Sequence, residues 1–168
     1  YVAPERLTVR RGDAAAPRSL AALRARRVGT LPGSLAERVL TRAGAEVRTY
    51  DGGQNEIYAD LLLGRTDAVL LDAPISLYYG EIEPGLETVP GALGEVRYAI
   101  AVPLGDETLR AALDTALARL ATDGRLRAIY ERWGLWNAET AALLGDPHGK
   151  RAGVAEALEA WRTAVGRP

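Results

Sequence analysis

The chain has 168 residues, 48% of them apolar and 26% charged, with a formal net charge of -1. These proportions describe a globular chain holding one ordinary domain, or one domain and part of another. They exclude a disordered segment and leave no electrostatic footprint for nucleic acid; no run approaches the ~20 apolar residues needed to cross a bilayer as a helix. Cysteine is absent and His148 is the single histidine, so disulfides, thiol catalysis and cysteine- or histidine-based metal sites fall away, and no cofactor is expected. Methionine is also absent; with no signal segment ahead of Tyr1, the sequence reads as a mature or trimmed product, or as a fragment lacking its beginning.

In chain order, Arg6 to Arg10 forms the first strand-like run and ends at Gly12-Asp13. Ser19 is placed to cap a short helix from Leu20 to Arg24. Arg27 to Leu31 reads as a strand, and Pro32-Gly33 turns it into a helix from about Leu35 to Ala43, stopped by Gly44. Glu46 to Tyr50 is the next strand, and Asp51-Gly52-Gly53 leads into a helix near Gln54 to Leu63. Ala68 to Leu71 is wholly apolar, as in a strand buried on both faces. A short helix, Pro74 to Tyr79, follows, then strands at Leu86 to Val89 and Glu95 to Val102. This alternation predicts an α/β fold with a parallel sheet flanked by helices.

After Pro103 the pattern turns helical. Leu109, Ala112, Leu113, Ala116, Leu117 and Leu120 make one stripe, and Asp123-Gly124 breaks it. Leu126, Ile129, Tyr130 and Trp133 mark a second helix. A tail from Asn137 ends in a predicted amphipathic helix with Val154, Leu158, Trp161 and Val165 on one side.

Two positions carry chemistry. At Val28-Gly29-Thr30-Leu31-Pro32-Gly33-Ser34 a strand passes through a glycine turn straight into a helix, whose first-turn N–H groups and dipole suit an anion, with the Ser34 hydroxyl as an added donor. The same residues read equally as a capping box, Ser34 with Glu37, that needs no ligand. The second position is Asp72, at the end of the buried strand, where it could also simply cap the next helix. If their strands are parallel neighbours, both positions lie at the carboxyl edge of the sheet, where ligands of open α/β sheets bind. Donors at one and a carboxylate at the other suit an α-amino acid. Arg65-Thr66-Asp67, at the opposite edge, reads as structural, and Tyr78-Tyr79 as packing plus rim.

Taken in order, Ser19-Leu20-Ala21-Ala22-Leu23, Arg27 to Ser34, Gly64 to Asp72, Tyr98 to Val102 and Asp123-Gly124 through Ile129 to Gly134 resemble the bacterial extracellular amino-acid-binding proteins that serve ABC importers, solute-binding family three. The resemblance spans about 1–136. It implies a periplasmic-binding-protein fold of type II, with two α/β lobes clamping the ligand and joined by two crossing strands. On that pattern 1–12 is a hinge strand and the end of the first lobe, and 13–97 the second α/β lobe. The returning hinge strand and the C-terminal helices of the first lobe occupy 98–136, and 137–168 is a helical tail.

By the same resemblance, backbone N–H groups at Ser34 and Leu35, beside Gly33, meet the ligand carboxylate, and Asp72 meets its ammonium. Leu31 and Leu71 fall where side-chain selection occurs, and their apolar character disfavours a charged ligand side chain. The implied partners are a small or polar amino acid and an ABC transporter permease, with the protein exported to the periplasm or cell surface.

The chain departs from the pattern in lacking most of the first lobe and its carboxylate-clamping arginine. Pro4-Glu5-Arg6 looks like the motif around that arginine but sits where the hinge strand belongs, so the role is not carried over. Homo-oligomerisation or exchange of segments with a neighbour follows as an expectation. Two alternatives stay open: a sensing module fused to a kinase or permease, and an enzyme resembling cyclohexadienyl dehydratase, for which no general acid can be nominated.

Overall fold

Strands β2 (Arg27–Thr30), β3 (Glu46–Thr49) and β4 (Ala68–Asp72) supply the parallel part of the sheet. They lie in the order β3-β2-β4, with Val28 opposite both Val47 and Ala68. Helices α1 (Leu35–Ala43) and α2 (Gln54–Leu62) make the crossovers between them, as parallel neighbours require. The computed structural model describes residues 1–145; the predicted terminal helix carrying Val154, Leu158, Trp161 and Val165 lies outside these.

The sheet is mixed where the sequence predicts it parallel. β1 (Val2–Arg10) runs antiparallel to β4 on one side and to β5 (Leu86–Thr88) on the other, and β6 (Glu95–Arg97) also pairs with β1. Alternation of strand and helix predicts parallel neighbours only where a helix makes the connection. The chain between β1 and β2 holds just a 3-10 turn, Ala21–Leu23, and β1 enters the sheet in the opposite sense. Between β4 and β5 lie α3 (Ala73–Ile75) and one π-helical stretch, Ser76–Gly80, in place of the single predicted helix.

The predicted strand Glu95 to Val102 stops at Arg97, so 98–102, expected as a returning hinge strand, has no strand structure. Beyond Arg97, the Tyr98 N–H still donates to the Tyr1 carbonyl at 2.9 Å.

Alternation along the strands sorts side chains to two faces. On one, Leu7, Val9, Val28, Ala68 and Leu70 pack with Ala36 and Leu40 of α1. On the other, Val69, Leu71 and Leu86 pack with Ile57, Tyr58 and Leu61 of α2. Gly29 has a reason to be glycine: a Cβ there would sit 3.1 Å from Ile57 Cγ2, so α2 packs directly on bare β2 backbone.

The chain divides into two units, one of Ala3–Val96 and one of Tyr1–Val2 with Arg97 onward. The second contains α4 (Glu107–Thr122), α5 (Arg125–Arg132) and α6 (Ala138–Leu143). Asp106 caps α4 by accepting the Leu109 N–H at 2.9 Å, and Asn137 caps α6 by accepting that of Thr140 at 2.7 Å. Thr140 also bonds the Val2 backbone through its hydroxyl, and Tyr130 stacks between Tyr1 and Trp136. The predicted stripe on α4 forms at the expected positions, yet no α4 residue is buried among the described residues. No helix among the described residues is long and apolar enough to cross a membrane.

Candidate functional site

The N-terminus of α1 follows β2 after a four-residue turn, Leu31 to Ser34. Ser34 is the N-cap at φ -77°, ψ 167°, and its Oγ accepts the Glu37 N–H at 3.1 Å. The same hydroxyl donates to the Leu31 carbonyl at 2.8 Å. This corrects one expectation: the Ser34 hydroxyl is committed to the turn and is no free donor for an anion. Gly33 is corrected too, because its N–H donates to Glu37 Oε2 at 2.7 Å. The Glu37 carboxylate thus occupies the outermost amide, a variant of the capping box in which Glu37 reaches one residue further back. What the turn leaves for a ligand are the backbone N–H groups of Ser34 and Leu35, which as first-turn amides have no intrahelical acceptor.

Asp72 ends β4, and β4 lies beside β2 in parallel register, so the Asp72 position and the start of α1 share the carboxyl edge. Thr30 ties them together. Its buried hydroxyl donates to the Leu70 carbonyl at 2.9 Å and lies 3.4 Å from Ser34 Oγ. Asp72 also shares a face with α1, since two residues earlier Leu70 packs against Leu40 and Ala36. The expected helix cap at Asp72 is absent: α3 starts there without a side-chain cap hydrogen bond. Asp72 as a residue is 9% exposed and belongs to the buried polar groups of the fold.

Leu31 and Leu71 point away from this place. Leu71 is 2% exposed on the α2 face with Tyr50, Ile57 and Leu61, and half-buried Leu31 packs against that cluster. One-residue alternation explains this, since Leu71 must face opposite to Asp72. Selection of a ligand side chain by Leu71 is therefore corrected: its surface is already used in the core. Arg65-Thr66-Asp67 is structural. Asp67 accepts the Arg27 N–H at 2.9 Å and its guanidinium at 2.7 Å, which holds the Asp67 carboxyl below its ordinary range. Arg65 pairs with Asp60 at 2.9 Å.

One residue of this region, named in the sequence only within Pro4-Glu5-Arg6, is given no role there. Glu5 lies opposite Asp72 in the β1–β4 register and is only 3% exposed. Both its backbone groups bond away from β4, to Gly94 O at 2.8 Å and from Leu93 N at 3.0 Å. The Glu5–Asp72 pair is therefore of the non-hydrogen-bonded kind, in which facing side chains come closest. Leu7 and Val9, on the same side of β1 as Glu5, pack with Leu70 on the α1 face, so the two carboxyl groups share that face. Burial, and then the Asp72 charge, push the Glu5 carboxyl up to about 7, against an opposing pull from Arg38.

A folded-state value above the ordinary 4.5 means that the fold binds the proton more tightly than the unfolded chain. The associated stability is complete below about pH 4.5 and is lost as pH rises through 7; the shift corresponds to on the order of 3 kcal/mol. Thermal denaturation of Glu5→Gln should show this slope removed: the variant equals the wild type near pH 5 and exceeds it at pH 8. Parallel curves at both pH values would contradict it.

Among the described residues no group of three or more His, Cys, Asp or Glu is placed to hold a metal ion. A cavity of about 490 Å³ is lined by Arg48 to Gly52 with Glu56 and Asp60. It sits at the end of β3, on the side of β2 away from β4.

No family profile matches the chain. The L-cystine-binding protein TcyJ of Escherichia coli (strain K12) is 31% identical over 128 residues, covering 74% of this chain and 48% of that protein. The histidine-binding periplasmic protein of Salmonella typhimurium (strain LT2) is 28% identical over 146 residues, 79% of this chain and 55% of its own length. Among solved structures, an ancestral arginine-binding protein bound to glutamine superposes with a TM-score of 0.70 at 31% identity, over 79% of this chain and 60% of that one. The fold is thus that of the type II periplasmic-binding-protein class, an α/β sheet with flanking helices. In sequence the chain is a homologue of the periplasmic amino-acid-binding proteins of family three, and it spans about half the length of the curated relatives it matches.

Proposed function

We propose that this chain is part of an extracellular solute-binding protein of an ABC importer and holds a small or polar free amino acid. The carboxylate of the solute takes the Ser34 and Leu35 amides at the positive end of α1, and its ammonium takes Asp72. The supporting observation is that these opposite charges lie on one edge and one face of one sheet, cross-linked by Thr30. An α-amino acid presents its two charges a few ångströms apart, so a single solute reaches both. On this reading 13–97 is the second lobe, while 1–12 and 98–136 belong to the hinge and first lobe. The work is done outside the cytoplasm, against a permease partner.

The relatives named above are called binding proteins, and Asp72 with two backbone amides suits the holding of a zwitterion, which supports the binding role over an enzymatic one. Isothermal calorimetry of the complete gene product against the twenty common amino acids tests the proposal. Saturable binding of at least one is expected, and silence with all twenty would sink it.

A further inference from the structure

The carboxyl group of Glu5 is a charge with no role in the site as so far described. It is 3% exposed, its Oε2 takes no hydrogen bond among the described residues, and it faces the one acidic residue to which the ligand's ammonium is assigned. A lone buried carboxyl on a strand could be a tolerated defect, but its location argues otherwise. The loop Pro90 to Gly94 closes over it, with a Gly94 Cβ position 3.3 Å from Glu5 Cγ and 3.6 Å from Val39 Cγ2 of α1. Glu5 is thus enclosed between β4, α1 and this loop, on the face that carries Asp72.

We propose that Glu5 and Asp72 act as one acidic pair, in which the arrival of a solute ammonium at Asp72 expels a proton that Glu5 carries in the empty site. Glu5 is a positioning residue here: at its depth it acts on the ammonium through the field of the pair and not by contact. Ionising both would set two like charges on facing positions of neighbouring strands, a repulsion that a counter-charge relieves. In the empty site the proton on Glu5 supplies that relief, and with ligand bound the ammonium supplies it, the proton passing to solvent buffer. The site then favours solutes with a full positive charge beside their carboxylate over deaminated acids of the same shape, which leave the proton in place.

The charged groups around Glu5 are few. From β4 comes Asp72, which opposes ionisation, and from α1 comes Arg38, which favours it. The loop Pro90 to Gly94 contributes no ionisable side chain. On its own strand, Arg6 directs its guanidinium to the Gly91 carbonyl. A group that titrates near neutrality in this setting makes binding sensitive to pH in the range where the measurement is easy.

The inference rests on the amino-acid reading above, and the test separates the two. Calorimetry of the complete gene product with whichever amino acid binds, run at pH 6, 7 and 8 in buffers of different ionisation enthalpy, counts protons released per ligand. Wild type should release close to one proton at pH 6 and gain about tenfold in affinity by pH 8. Glu5→Gln should release none, and should bind with one affinity across the range, about tenfold or more below that of wild type at pH 6. Glu5→Asp, which keeps the acid on a shorter stem, should restore release. Binding with no proton count in wild type, or with the same count in Glu5→Gln, overturns the pair and leaves the amino-acid reading intact. Absence of binding by wild type at every pH overturns both. Because the proton count is read on wild type as well, a poorly folded variant does not shelter the proposal.

Discussion

Asp72→Asn will lower affinity for the bound amino acid by roughly 30- to 1000-fold, the equivalent of about 2–4 kcal/mol. Asparagine keeps the shape and one acceptor oxygen but removes the charge that balances an ammonium in a largely water-free place. The fold should not suffer. Asp72 caps no helix through its side chain, and its charge opposes ionisation of buried Glu5, so losing that charge relieves a repulsion. The expected pattern is a large loss in calorimetric affinity beside a melting temperature at pH 8 that stays level or rises. A variant that binds as well as wild type would remove Asp72 from the site.

The second large effect isolates a single backbone hydrogen. Leu35→Pro deletes the N–H of the first residue of α1 while keeping the helix, because proline is favoured at that position and lacks only an amide that the helix itself does not use. The preceding residue must be extended, and Ser34 already is, at φ -77° and ψ 167°. A hydrogen bond to a charged group contributes about 1.5–3 kcal/mol, so affinity should fall by roughly 10- to 100-fold. The half-buried Leu35 side chain is lost as well, and Leu35→Ala controls for that by removing the side chain and retaining the amide. Affinity that falls equally in both variants would point to packing and clear the amide of any role.

How much of this is legible in the sequence depends on the range of the interaction. α1 is legible from Ser34 to Gly44 because its signals are local: a capping serine, a glutamate three residues on, and a glycine in the left-handed conformation at φ 75°. Ala68 to Leu71 is legible because a strand covered on both faces must be apolar throughout. The end of strand structure at Arg97 is not legible, since the strand-like run of residues continues to Val102. The Ser34 hydroxyl and the Gly33 amide look available in sequence, and only the bonds to the Leu31 carbonyl and to Glu37 show that they are taken.

Glu5 is the clearest case of a residue that sequence shows and cannot interpret. It stands between Pro4 and charged Arg6, and nothing in Val2-Ala3-Pro4-Glu5-Arg6-Leu7 tells that Glu5 is buried while Arg6 is only partly so. Its meaning comes from the register that sets it opposite Asp72, 67 positions along the chain. Nothing in either stretch specifies which strand the other joins. Leu71 shows the converse. Sequence adjacency to Asp72 suggests that it shares the ligand, while the two-residue period of a strand sends it to the other face.

The account depends on one solute touching both the first turn of α1 and the end of β4. The most direct measurement is an NMR titration of isotopically labelled protein with an amino acid that binds. The Ser34 and Leu35 amide protons and the Asp72 side-chain carboxyl carbon should shift together along a single binding isotherm, with the Ser34 and Leu35 protons moving downfield as they gain an anionic acceptor. Shifts confined to the cavity between Arg48 and Asp60, with Ser34, Leu35 and Asp72 unmoved at saturation, would contradict it.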